Sequence, residues 1–119
     1  MGWFSSNKST FPWKNLSNDS KIEDLIAESN ENPVIIFKHS TRCSISSMAL
    51  SRFEREWDNS NKVSLYYLDL LNFRDLSNAI AQELHVVHQS PQVIVLNRSE
   101  VIYHESHNGI DSSEIVKLI

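Results

Sequence analysis

The run VIIFKHSTRCSIS, residues 34–46, decides the fold, because it passes from an unbroken apolar segment through polar residues into helical spacing. Residues 34–37 are β-branched or aromatic at every position and follow Pro33, the pattern of a strand covered on both faces. From Ile45 the apolar residues recur at Met48, Ala49, Phe53 and Trp57, with Arg52, Glu54, Arg55 and Glu56 mostly opposite. That spacing predicts a helix starting near Cys43, with the stripe from Ile45 to Trp57 as its core face. Cys43 falls off this stripe, among Ser40, Thr41, Arg42, Ser44 and Ser46. It therefore stands where a central strand hands over to a helix, and unpaired N–H groups and the helix dipole favour negative charge there.

On the amino-terminal side, Ser20 with Glu23 reads as a capping box, and Ile22, Leu25 and Ile26 supply the stripe of a short helix ending before Pro33. On the carboxyl side, VSLYYLDLL reads as a strand, and Phe73, Leu76, Ile80 and Leu84 mark a further helix. The strands QVIVL and VIYHE flank a hairpin turn, NRSE, and the last helix is capped by Asp111 with Glu114 three residues on. The order is α, β, α, β, α, β, β, α. A strand, crossover helix and strand run parallel, whereas strands joined by a tight turn run antiparallel. The expected architecture is α/β: three layers, α/β/α, around a mixed four-stranded sheet (βαβ plus ββα) with an extra N-terminal helix, which is the thioredoxin-like plan.

The 119 residues fit a single domain, 1–119, with 1–12 as a polar arm carrying the isolated aromatics Trp3, Phe4 and Phe11. This arm is read either as loosely ordered or as packing a ring on the domain. The net charge of −4, with scattered Lys and Arg, argues against a nucleic-acid partner. No apolar run approaches membrane-spanning length, and the start lacks the basic and apolar stretches of a secretory signal. Met1, Gly2 and Ser6 fit the loose myristoylation pattern, but no polybasic second anchor follows, and no membrane association is expected. Because Cys43 is the only cysteine, the chain can form no internal disulfide, which suits a reducing compartment and gives the cytoplasm as the expected location. The glycosylation triplets at Asn15, Asn18 and Asn97 then carry no meaning.

Cysteine is often an inert core filler, but polar neighbours and a helix start read Cys43 as a reactive thiol. Thr41, Arg42, Ser46 and His39 are its candidate supports. Arg42 adds positive charge, and His39 raises the thiolate fraction if its ring turns that way, although a conformational role for it stands first. Thr41 reads first as a cap of the helix and second as a sulfur partner. Ser46, one turn along, has two readings of equal weight: a donor to the sulfur, or an ordinary polar residue of the first turn. The second informative stretch is HQSPQVIVL, where Pro91 enters a strand. In thioredoxin-like folds this position carries a cis proline facing the cysteine, and Ser90 would there offer its backbone to an extended substrate.

These residues give the chain its family resemblance. VIIFKHSTRCSIS, the amphipathic helix after it, SPQVIVL and the chain length together resemble the monothiol bacilliredoxins of the YtxJ type, from about Trp13 onward. Many members carry proline directly after the cysteine, where this chain has Ser44. The resemblance implies removal of bacillithiol from mixed disulfides on cytosolic proteins. Free bacillithiol would be the co-substrate, with no tightly bound cofactor. Independently of the resemblance, Ser46 occupies the position of a resolving cysteine, so exchange at Cys43 must be monothiol and needs a second small thiol for regeneration.

The pairs His39 with Cys43, His85 with His88 and His104 with His107 have suggestive spacing, but structural zinc wants about four converging ligands, and no metal site is expected. His85 and His88 are placed at a helix end as caps, and His104 and His107 in a strand-to-helix connection. Two rival functions share the fold: a protein-binding module without catalysis, and a glutaredoxin-like iron–sulfur carrier.

Overall fold

The computed structural model describes residues 11–58 and 62–119. Its elements are β1 (Lys14–Asn15), α1 (Ile22–Glu28), β2 (Val34–His39), α2 (Ser44–Glu56), β3 (Ser64–Asp69), α3 (Arg74–Leu84), β4 (Gln92–Asn97), β5 (Glu100–Ser106) and α4 (Ser112–Leu118). A 3-10 turn, His107–Gly109, precedes α4. The sheet order is β1-β3-β2-β4-β5. Strand β3 runs parallel to β1 and β2, while β4 is antiparallel to β2 and β5. The α/β thioredoxin-like plan is therefore present with five strands in place of four. The added strand, β1, is two exposed residues long, too short to show alternation. It is held by its flanks. Leu16 is buried and donates its N–H to the Tyr67 carbonyl at 2.9 Å, and Trp13 packs on Phe37, Phe53 and Tyr67.

Strand β2 is buried at all six positions and carries the core on both faces. One face, with Ile35 and Phe37, packs Ala49, Phe53 and Trp57 of the α2 region and Ile115 of α4. The other, with Val34 and Ile36, packs Leu25 of α1 and Ile80 of α3. Phe11 joins the first cluster, 4.8 Å from the Trp13 ring, so the end of the N-terminal arm packs on the domain. Residues 1–10, which include Trp3, Phe4 and the myristoylation pattern, lie outside the described residues. No helix among the described residues is long and apolar enough to cross a membrane.

Two local expectations are corrected. Helix α1 starts after Lys21, whose side chain makes no cap, and the Ser20 hydroxyl instead accepts from the Ser17 N–H at 2.9 Å. There is no capping box. In α2, Ile45 and Met48 are 55% and 69% exposed, and Ser46 is buried. At about 100° per residue, Ser46, Ala49 and Phe53 share one face, and Ile45 with Met48 point away from it. The stripe begins one residue later than its apolar composition suggests, with a serine as its first member. Two other local signals hold: Arg98 and Ser99 both adopt positive φ in the hairpin turn, and Asp111 caps α4 by accepting from the Ser113 N–H at 2.9 Å.

Candidate active site

Strand register places the cysteine and the proline at one end of the sheet. Lys38, next to last in β2, pairs with Gln92, the first residue of antiparallel β4. The turn leading from β2 to Cys43 and the segment ending in Pro91 therefore belong to the same sheet end, on adjacent strands. Parallel β3 finishes there too, and the Leu70 N–H donates to the His39 carbonyl at 2.9 Å.

Cys43 is the N-cap of α2, extended at φ −111° and ψ 121°, and its side chain makes no capping bond. It is a half-buried free thiol. Its N–H donates to the Ser40 carbonyl at 3.1 Å, and its carbonyl accepts the first helical bond from the Ser47 N–H at 3.0 Å. The N–H groups of Ser44, Ile45 and Ser46 precede that first bond, so the 13-residue helix that starts after Cys43 leaves its first backbone donors without an intrahelical partner.

The turn is fixed from beneath by Ser46. Its fully buried hydroxyl accepts from the Ser40 N–H at 3.0 Å and lies 2.7 Å from His39 Nδ1. Burial lowers the His39 pKa below its ordinary value, against smaller opposing effects of the Asp69 and Glu54 carboxylates, so the ring is neutral at pH 7. In the tautomer with Nδ1 unprotonated, the one hydroxyl proton goes to His39. Of the two sequence readings for Ser46, neither describes it fully: it is a buried strut from α2 to the end of β2. The His39 ring lies against Ser46 and 5.7 Å from the Tyr67 ring. Thr41 is not the cap of α2, because Cys43 holds that position. Thr41 and Arg42 are both exposed and line an open depression with Leu71 and Asn72.

Ser90–Pro91 is a cis peptide bond. Pro91 is buried, Ser90 is half-buried, and the Pro91 carbonyl accepts from the His107 N–H at 3.1 Å. Ladder pairing of β4 begins only at Gln92, so Ser90 stands just outside the sheet.

The remaining histidines separate. His85 ends α3 with its backbone, in the left-handed region at φ 57°, and its exposed ring is not what closes the helix. His88 is no cap: its Nδ1 lies 3.3 Å from Lys38 Nζ and 3.4 Å from Ser77 Oγ. His104 sits within β5 and not in the connection after it, while His107 opens the 3-10 turn. No group of three or more His, Cys, Asp or Glu among the described residues is placed to hold a metal ion.

Sequence reasoning passed over Lys38, which is fully buried at the end of β2. The signal was present: continuing the strand's alternation from Val34 and Ile36 puts Lys38 on the same covered face.

Comparison with known proteins fits this arrangement. The family described as monothiol bacilliredoxin BrxC matches residues 14–115. A solved structure provisionally described as an oxidoreductase with a thioredoxin fold is 31% identical, with TM-score 0.70 over 87% of this chain and 89% of that one. At the level of fold alone, the Malassezia sympodialis thioredoxin matches at 18% identity and TM-score 0.63, covering 89% of this chain and 86% of its own. Spinach chloroplast thioredoxin f, in its long form, matches at 12% identity and TM-score 0.64 over 88% and 81%. A cysteine at the start of α2, a cis proline just ahead of the neighbouring strand and a family match over most of its length together place this chain in the monothiol bacilliredoxin BrxC family, with a thiol-redox function.

Proposed function

We propose that this protein removes bacillithiol from mixed disulfides on cytosolic proteins by monothiol exchange at Cys43. The observation that carries the reading is the half-buried free Cys43 at the N-cap of α2, on the sheet end that also holds the cis Ser90–Pro91 bond. In the first step the Cys43 thiolate attacks the bacillithiol sulfur of a protein–bacillithiol disulfide. A new sulfur–sulfur bond forms to Cys43, the old one breaks, and the client cysteine leaves as a thiolate that takes a proton from water. In the second step a free bacillithiol thiolate attacks the bacillithiol sulfur held on Cys43, giving bacillithiol disulfide and free Cys43. Ser46 takes the place of a second thiol and is occupied with His39 and Ser40, which supports regeneration from outside the chain.

In this reading Ser90 offers its backbone to the client segment, which lies against it as an added strand. Exposed Arg42 adds positive charge beside the reacting sulfurs, while His39 and Ser46 hold the turn. Bacillithiol is a co-substrate, not a resident cofactor, and the cycle belongs in a reducing cytoplasm, with neither nucleic acid nor membrane as a partner. The test is transfer of bacillithiol from a defined mixed-disulfide peptide to wild type and to Cys43→Ala. Adducts on the wild type alone support the reading, and equal release of the peptide thiol by both proteins refutes it.

A further inference from the structure

The covered face of β2 holds a cluster that the thiol chemistry leaves unexplained. Lys38 is fully buried, yet it is the residue of β2 paired to Gln92, which directly follows the cis proline. Its ammonium donates to the Ser77 carbonyl of α3 at 3.1 Å and lies 3.3 Å from His88 Nδ1. Buried Gln92 reaches the same loop and donates Nε2 to the Val87 carbonyl at 2.9 Å. Two side chains from adjacent strands thus grip consecutive residues, Val87 and His88, with only Gln89 between them and Ser90. His39 holds the Cys43 turn from the opposite face of the strand, so neighbouring residues at the end of β2 anchor the two halves of the site.

We infer that Lys38 is a positioning residue that acts through His88 to hold the loop ahead of Ser90–Pro91 in the form that accepts an extended client segment. The inference rests on the reading of Ser90 given above. For Nδ1 to accept from an ammonium, His88 must be neutral, and burial, Lys38 and Arg74 all lower its pKa. Burial also lowers the Lys38 pKa, to about 8. Among the described residues, the titratable groups acting on this contact are Lys38 from β2, His88 from the loop and Arg74 from the first turn of α3. Asp69 of β3 acts on His39 and Tyr67, on the other face. Loss of the Lys38 charge weakens the grip, since a neutral amine donates less strongly than an ammonium.

The test compares wild type, Lys38→Met and His88→Leu, with folding checked by circular dichroism. Each is assayed on a mixed-disulfide peptide of about ten residues and on a small aromatic disulfide that makes no strand-like pairing. Both variants are expected to lower the ratio of peptide to small-disulfide kcat/KM about tenfold, the factor that ~1.4 kcal/mol carries, through a raised peptide KM. In parallel, the backbone amide signals of residues 87–90 in wild-type NMR spectra are expected to shift with a midpoint near pH 8, and to lose that step in Lys38→Met. An unchanged ratio in folded Lys38→Met, or the same amide titration without the lysine, overturns the inference. A wild type that takes no label from the peptide defeats the proposed function instead, and the NMR comparison still decides the role of Lys38.

Discussion

Removing one oxygen from Ser46 tests how the cysteine turn is held. In Ser46→Ala the Ser40 N–H loses its acceptor at 3.0 Å and His39 Nδ1 loses its partner at 2.7 Å, both against a fully buried side chain. A net hydrogen bond contributes about 1 kcal/mol, and a buried group left unpaired costs about 1–3 kcal/mol. Ser40 is half-buried, so water recovers part of its bond, and the combined loss is about 2–4 kcal/mol. With ~2.1 cal/mol/K of unfolding entropy per residue, a chain of 119 residues loses about 4 °C of melting temperature per kcal/mol. The expected drop is therefore ~8–16 °C, read by calorimetry at pH 7.5. A double-mutant cycle with His39→Leu is expected to show coupling of about 1 kcal/mol. A Ser46→Ala melt within ~2 °C of wild type would refute the strut, and so would additive losses in the cycle.

Three further outcomes follow from packing and charge. Phe53, against Trp13, Phe37 and Trp57, is expected to cost ~3–5 kcal/mol on truncation to alanine in urea unfolding. Met48→Glu, on the exposed side of the same helix, is expected to change stability by less than ~0.5 kcal/mol; similar losses for the two would contradict the register of α2. For Lys38 the folded pKa of about 8 lies below the ordinary 10.5, so the unfolded chain binds more protons between these values. Stability relative to Lys38→Met is therefore expected to rise from pH 8 to 10.5 by about 3 kcal/mol, and a flat difference in urea melts would remove the buried charge.

The strand and helix order was legible because each long element repeats its apolar residues at the period its packing requires. Val34 to Phe37 announce a strand covered on both sides, and Phe73, Leu76, Ile80 and Leu84 announce α3. The position of Cys43 and the strand-entry proline could also be read, since both follow from where elements begin. What escaped has a common cause. Strand β1 is held by a tryptophan and a leucine outside its two residues, and the inner face of α2 starts with Ser46, a polar residue satisfied by tertiary partners. Lys38 belongs to the same class: composition puts lysine on the surface, and only the contacts of Ser77 and His88 explain its burial. The misplaced cap at Ser20 shows a local motif losing to an alternative turn with Ser17.

The decisive measurement is intact mass spectrometry of the protein after reaction with a client protein carrying one bacillithiol. Wild type is predicted to gain a single bacillithiol at Cys43 as the client loses its own, and free bacillithiol then clears the adduct. Retention of the cap by the client with wild type, or its loss at the same rate with Cys43→Ala, would contradict the assignment of Cys43 as the nucleophile.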